Sequence, residues 1–221
     1  NQKIDEYQTN PDKNAASTPL VRYNEGQSMS MIYAVPSLGI DPQTGKEIFL
    51  KRDGSLTYDW SVRDIAPIAD SAPKAEGNIN PNISYKSFML SLSFYYRFGG
   101  YSYNQTLVDR IENADPRFNV DSRVLNQRWI KPGDQTFFKN IADLSPTNVS
   151  SRFIQKDNLL ELRSIYLSYD FKRELIKKYG FQNLRTTMTL NDIFRTSSIQ
   201  MERGTSYPFA RSLTVSLLAS F

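Results

Sequence analysis

Apolar and polar residues alternate with a period of two over much of this chain, as in strands with one oily and one wet face. In the C-terminal stretch 212–221, Leu213, Val215, Leu217, Ala219 and Phe221 fall on one side. Ser212, Thr214, Ser216 and Ser220 fall on the other, with only Leu218 out of step. Its length suits the roughly 9–11 residues of a tilted strand crossing a bilayer. Further upstream, Ile79, Pro81, Ile83 and Tyr85 alternate with Asn78, Asn80, Asn82 and Ser84. Phe88, Leu90, Leu92, Phe94, Tyr96 and Phe98 likewise alternate with Met89, Ser91, Ser93, Tyr95 and Arg97. A two-residue turn at Lys86-Ser87 sets Tyr85 opposite Phe88, Ile83 opposite Leu90, Pro81 opposite Leu92 and Ile79 opposite Phe94. Every apolar side chain then lands on one face, and a one-residue slip of either strand would destroy the match. Pro81 removes one ladder donor from this hairpin.

Ile165, Leu167, Tyr169 and Phe171 alternate with Ser164, Tyr166, Ser168 and Asp170, and Leu184, Thr186, Met188 and Leu190 with Arg185, Thr187, Thr189 and Asn191. A mixed strand is predicted over 28–35, stopped by Pro36. About six strands result, joined alternately by tight and long connections. Gly39–Gly45 is a turn cluster, 47–60 a small hairpin about Asp53-Gly54, and 61–75 a loop. In the long connection 99–157, Leu107, Val108 and Ile111 suggest a short helix. Asp121 is placed to cap a second, carrying Val124, Leu125, Arg128 and Trp129. Lys172–Tyr179 reads as a short basic helix closed by Gly180.

The polar faces of these strands carry hydroxyls and amides more than Lys and Glu, which suits a water-filled lumen better than the outer face of a soluble sandwich. Aromatics near strand ends, Phe88, Phe98, Tyr169, Phe171 and Phe221, sit where an interfacial girdle belongs. No apolar run approaches the roughly 18 residues of a membrane helix. The mean hydropathy of −0.50 is compatible with a barrel, whose strands average out. The chain has no cysteine and no histidine, which removes disulfides, Ser-His-Asp and Cys-His catalysis and the common zinc patterns. The net charge of +4 is scattered, so nucleic acid is a poor partner. Asn1–Tyr7 has neither a signal core nor a starting methionine and reads as the interior of a longer polypeptide or as a processed end. Residues 1–26 read as a polar surface segment.

Several stretches, in order, resemble the C-terminal part of the SusC/RagA-type TonB-dependent outer-membrane transporters of Bacteroidetes: GIDPQTGKEIF (39–49), YKSFMLSLSFYYRFGGYSYNQTLVDRIENAD (85–115), RVLNQRWIKPGD (123–134), LRSIYLSYDF (162–171), LRTTMTLNDIFR (184–195) and ERGTSYPFAR (202–211). The resemblance implies an all-β fold: an antiparallel transmembrane β-barrel segment, about six strands of a barrel of about 22, with long extracellular loops carrying short helices. Residues 1–221 are then the C-terminal part of the barrel, without the plug domain or the TonB box. The resemblance further implies an outer-membrane importer of glycans or peptides in a Gram-negative bacterium, working with a SusD-like lipoprotein lid. Its partners would be the remainder of the barrel, outer-membrane lipid, oligosaccharide or peptide cargo, and the TonB complex through parts absent here. No catalytic residue, metal or cofactor is implied.

Candidates for contact with cargo or lid are Tyr101, Tyr103, Asp109, Arg110, Arg128, Trp129, Phe137 and Phe138, although packing of the loop on itself and onto neighbouring loops accounts for each of them more readily. Arg97, Arg163 and Arg185 are candidates for the lumen face, or for plain pairing with wall carboxylates. By similarity to other outer-membrane barrels, the terminal Phe221 belongs to the signal read by the barrel-assembly machinery. Two alternatives remain. One is a soluble or surface-attached β-sheet carbohydrate-binding module using the aromatic loops. The other is a carboxylate hydrolase using Glu112 with Asp115, or Asp121 with Asp134, although nothing in the sequence fixes their separations.

Overall fold

The computed structural model describes residues 26–115, 117–118, 120–199 and 211–221, so the segment 1–25 and nearly all of the 202–211 motif lie outside them. The strands are β1 (Met31–Ala34), β2 (Ser37–Ile40), β3 (Glu47–Leu50), β4 (Leu56–Thr57), β5 (Ala66–Asp70), β6 (Ala75–Ile79), β7 (Asn82–Tyr85), β8 (Phe88–Tyr103), β9 (Ile154–Asp170), β10 (Asn183–Ser197) and β11 (Ser212–Ser220). Helix α1 (Gln105–Leu107) continues as a π turn over Val108–Glu112, and α2 (Arg173–Ile176) continues as a 3-10 turn over Lys177–Tyr179. Two compact units divide the chain: a sheet unit of 73–99 with 157–221, and a loop unit of 1–72 with 100–156. Among the described residues no helix is long and apolar enough to cross a membrane.

In the sheet unit the order is β11-β10-β9-β8, with β6 and β7 both paired to β8. The hairpin has the register its alternation dictates: Tyr85 faces Phe88, Ile83 faces Leu90 and Ile79 faces Phe94. Lys86 takes φ 54° at the turn. Pro81 splits the predicted strand into β6 and β7, yet its carbonyl still accepts from Leu92 N–H at 3.0 Å. Farther along, Met188 lies between Leu167 of β9 and Val215 of β11, and Leu190 between Ile165 and Leu213. On the other face Thr187 lies between Ser168 and Ser216, and Thr189 between Tyr166 and Thr214. The oily and hydroxyl-rich sides are therefore each continuous across three strands. Among the described residues of the sheet unit no second layer covers the oily side of the outer strands: Leu213, Val215 and Leu217 are 60%, 64% and 68% exposed. Water would oppose so much bare hydrocarbon, whereas lipid would not.

Strands β8, β9 and β10 outrun the apolar pattern. At about 3.3 Å per residue, the 16 residues of β8 extend well past a hydrocarbon core of roughly 30 Å. The bulge between Asn191 and Phe194, with Asp192 at φ 54°, falls where β10 leaves that band. Gly180, at φ 83°, ends the turn after α2, as its position predicts.

The loop unit departs from expectation in its strand pairing and in its second helix. Met31–Ala34 is not a wall strand but pairs with β5, which falls inside the predicted loop 61–75. The physical reason lies in its side chains: Ile32, Tyr33 and Ala34 are all buried, so this strand has no wet face. Strands β2, β3 and β4 form a small sheet, with Gly54 at φ 85° in the predicted Asp53-Gly54 turn. Tyr33, Val35, Phe49 and Ile65 form one core, and Leu107, Val108, Ile111, Val124, Phe138 and Phe153 form another. The second predicted helix is only a 3-10 turn, Ser122–Leu125, capped by Asp121 as expected and ended before Gln127 at φ 55°. Arg128 and Trp129 therefore lie beyond it.

The turn at 41–45 is held by Asp41, whose carbonyl accepts from Gly45 N–H at 2.8 Å and whose carboxylate accepts from Gln43 N–H and the Thr44 hydroxyl. Gly45 has φ 72°, and a Cβ there would lie 2.6 Å from the Trp129 ring. Gly45→Ala is accordingly expected to destabilise the loop unit by about 1–3 kcal/mol, through left-handed strain and overpacking. Hydrogen exchange at Gly45 and at the Gly133 amide, which donates to Pro42, would read the loss.

Candidate functional site

The loop unit contains a polar cleft of about 570 Å³ between the end of β3, the Tyr58–Trp60 segment and the 139–148 connection. Phe49 and Glu47 line it from β3, Tyr58 and Trp60 from the following segment, and Lys139 and Asp143 from the connection. Its walls are fixed. Trp60 Nε1 donates to the Val149 carbonyl at 2.9 Å, and the Tyr58 hydroxyl donates to Asp41 at 2.6 Å. That bond raises the Tyr58 phenol above its ordinary value and lowers the Asp41 carboxyl. Lys139 is nearly buried; its ammonium donates to the Ser145 carbonyl and lies 3.8 Å from Asp143. Burial lowers its pKa, with Asp143 and Glu112 opposing.

Beneath the cleft, Arg152 bridges two carboxylates. Its Nη2 donates to Glu47 and to Glu112 at 2.8 Å each, and its Nη1 to the Phe137 carbonyl at 2.7 Å. Burial works against the charged guanidinium, but Glu47 and Glu112 outweigh it and raise the Arg152 pKa. The Ser150 hydroxyl donates to the other Glu47 oxygen at 2.6 Å. Sequence reasoning singled out neither Arg152 nor Glu47, because residues of such connections carry no periodicity to mark which side chain turns inward.

The structure disperses the residues named from sequence. Arg128 is buried and donates to the main-chain carbonyls of Ile111, Glu112, Val124 and Lys139, and burial lowers its pKa. Phe138 is in the core; Phe137 stacks edge-on against it and against Phe153. Tyr103 packs on the same core. Trp129 lies against the 41–45 turn, its Nε1 donating to the Pro42 carbonyl at 2.8 Å. Tyr101, Asp109 and Arg110 are exposed, Asp109 accepting from Gln105. Among the paired acids, Glu112 is tied to Arg152, Asp115 to Arg117 and Asp121 to Arg123, while Asp134 accepts from the amides of Ile130 and Lys131. The Arg117 guanidinium beside Asp115 holds its carboxyl at about 2. Neither pairing brings two carboxyls to a common partner.

In the sheet unit Arg97 pairs with Asp157 and Arg185 with Asp170, directly opposite it on the hydroxyl-rich face. Arg163 pairs with Glu161 and lies over the Tyr95 ring at 3.8 Å. Phe88, Tyr169 and Phe171 are in successive ring contact, and Phe221 stacks on Phe181 at 4.8 Å. These rings gather at the end of the sheet where the tight turns lie.

No family model matches the chain. A TonB-dependent receptor, P39, of Formosa agariphila (strain DSM 15362 / KCTC 12365 / LMG 23005 / KMM 3901 / M-2Alg 35-1) is 26% identical over 156 residues, which are 68% of this chain and 15% of that protein. The structure of the RagAB peptide importer in its open-open state superposes with a TM-score of 0.69 at 16% identity, over 92% of this chain and 25% of that one. A further RagAB peptide transporter structure gives 0.61 at 18% identity, over 76% and 19%. The chain thus spans a quarter or less of the length of each of these relatives. Sequence match and superposition agree: the chain is similar to part of a TonB-dependent receptor, and its long strands share the antiparallel β-barrel fold of the RagAB structures.

Proposed function

We propose that this chain supplies wall and extracellular loops to an importer that takes up peptides or oligosaccharides across the outer membrane, with a SusD-like lipoprotein closing its mouth. The carrying observation is the two-faced sheet, oily and uncovered on one side and lined by Thr, Ser, Asn and paired Arg185 on the other. A wet passage beside lipid needs that arrangement, and binding with gated access needs no covalent chemistry. The tight turn at Lys86-Ser87 and the α2 connection would face the periplasm, and the long connections the outside. RagAB, whose structures this chain resembles, is a peptide importer, which favours peptide over glycan.

Uptake of labelled peptides and oligosaccharides by cells carrying the complete transporter, with and without a proton uncoupler, tests this reading. Energy-dependent uptake of one class is expected. A chain that by itself gives a soluble, monomeric product with cooperative melting would overturn the reading in favour of a carbohydrate-binding module. We further propose that Phe221, stacked on Phe181, is read during barrel assembly. Phe221→Ala should lower the amount of folded barrel in the outer membrane several-fold, measured by heat-modifiable gel mobility, whereas Phe181→Ala should leave assembly closer to wild type.

A further inference from the structure

The cleft of the loop unit is preorganised, and two of its charges are unspent. Glu47 is neutralised by Arg152, and Lys139 has Asp143 beside it. Lys46 and Asp59 also line the cleft. Among the described residues Lys46 has only the Tyr58 ring near its ammonium, at 6.0 Å, and the Asp59 carboxylate has no ionic partner. The Asn148 carboxamide beside them is likewise unengaged. The lining segments come from opposite ends of the loop unit, yet they are bound to each other through Trp60 to Val149 and Ser150 to Glu47. Forming the cleft therefore requires no further ordering of these walls when a ligand enters. Its volume of about 570 Å³ falls within the range of small-molecule sites, about 300–1,000 Å³.

A neutral sugar would use the aromatic walls and Asn148 but would leave a cation and an anion without counter-charge. A ligand carrying one charge of each sign leaves neither. We propose that this cleft binds short peptides through their free ends, Lys46 taking the α-carboxylate and Asp59 the α-ammonium, with Tyr58 and Trp60 flanking the side chains. The proposal rests on the importer reading for its biological setting, and it assigns to the loops a capture site distinct from the wall.

The test is calorimetric titration of the complete transporter in detergent with dialanine, N-acetyl-alaninamide and maltose. Dialanine is expected to bind, and the blocked and neutral probes are expected to bind at least tenfold more weakly. Asp59→Asn and Lys46→Gln, both at exposed positions, should each weaken dialanine about tenfold or more while the melting profile stays unchanged. Equal binding of the blocked probe or of maltose, dialanine binding indifferent to both substitutions, or no dialanine binding would each overturn the proposal. Uptake in cells separates this outcome from the importer reading. Energy-dependent import with a silent cleft sinks only the cleft, and a binding cleft without import sinks the importer.

Discussion

Met188→Arg is expected to cost the assembled barrel about 2–4 kcal/mol, whereas Thr189→Arg, one residue along the same strand, should be tolerated. Met188 is the centre of a row, Leu167-Met188-Val215, on the face that nothing among the described residues of the sheet unit covers. A guanidinium there must give up its hydration to hydrocarbon or snorkel a long way to the interface. Thr189 points to the opposite face, between Tyr166 and Thr214, where an added arginine stays wet. Guanidinium unfolding of the barrel in lipid vesicles reads the difference directly. The two sites are adjacent on one strand and receive the same side chain, so position along the strand is held nearly constant while the medium on each side differs, and losing the β-branched Thr189 works against the expected contrast. Equal losses for the two variants would mean that both faces meet the same medium, and the membrane reading would fail.

That contrast was legible in the sequence because an alternation of period two leaves no freedom: once Tyr85 faces Phe88, the faces of β7 and β8 follow. The same logic carried through β9, β10 and β11, whose apolar band is as long as a bilayer crossing. It failed where contrast between faces is lost. Strands β8 and β9 continue through Gly99–Tyr103, which has no aliphatic side chain, and through Ile154–Arg163, where charged and apolar residues mix, so neither extension has an oily side. Strand β5 escaped notice because Ala-Pro-Ile-Ala-Asp alternates nothing, and its pairing with Met31–Ala34 is a long-range contact that no local pattern encodes. The loop candidates show the limit most plainly. Trp129 and Arg128 are adjacent in the chain, yet one lies against a turn and the other is buried among carbonyls. Outside regular structure, neighbouring residues have no fixed angular relation, so residue type alone cannot say which side chain is free.

Arg152→Ala is expected to be the most damaging single change in the loop unit, at about 3–5 kcal/mol. Its side chain is 3% exposed, and those of its two carboxylate partners are 10% and 0% exposed. Removing the guanidinium leaves Glu47 and Glu112 buried with like charge, and it also releases the Phe137 carbonyl and the contact with the Phe153 ring at 4.4 Å. Arg152→Lys should recover only part of the loss, because one ammonium cannot hold two carboxylates and a carbonyl in a planar fork. If uncompensated charge is the cause, adding Glu112→Gln to Arg152→Ala should restore stability relative to Arg152→Ala alone, although Glu112→Gln by itself removes a favourable contact. The coupling is read from protease susceptibility and hydrogen exchange over 104–153, which report the loop unit separately from the wall. Because Glu47 also lines the cleft, the same variant should weaken dialanine binding without touching Lys46 or Asp59. An Arg152→Ala protein with wild-type protection over 104–153 would show that the bridge contributes nothing to holding β3, α1 and the start of β9 together.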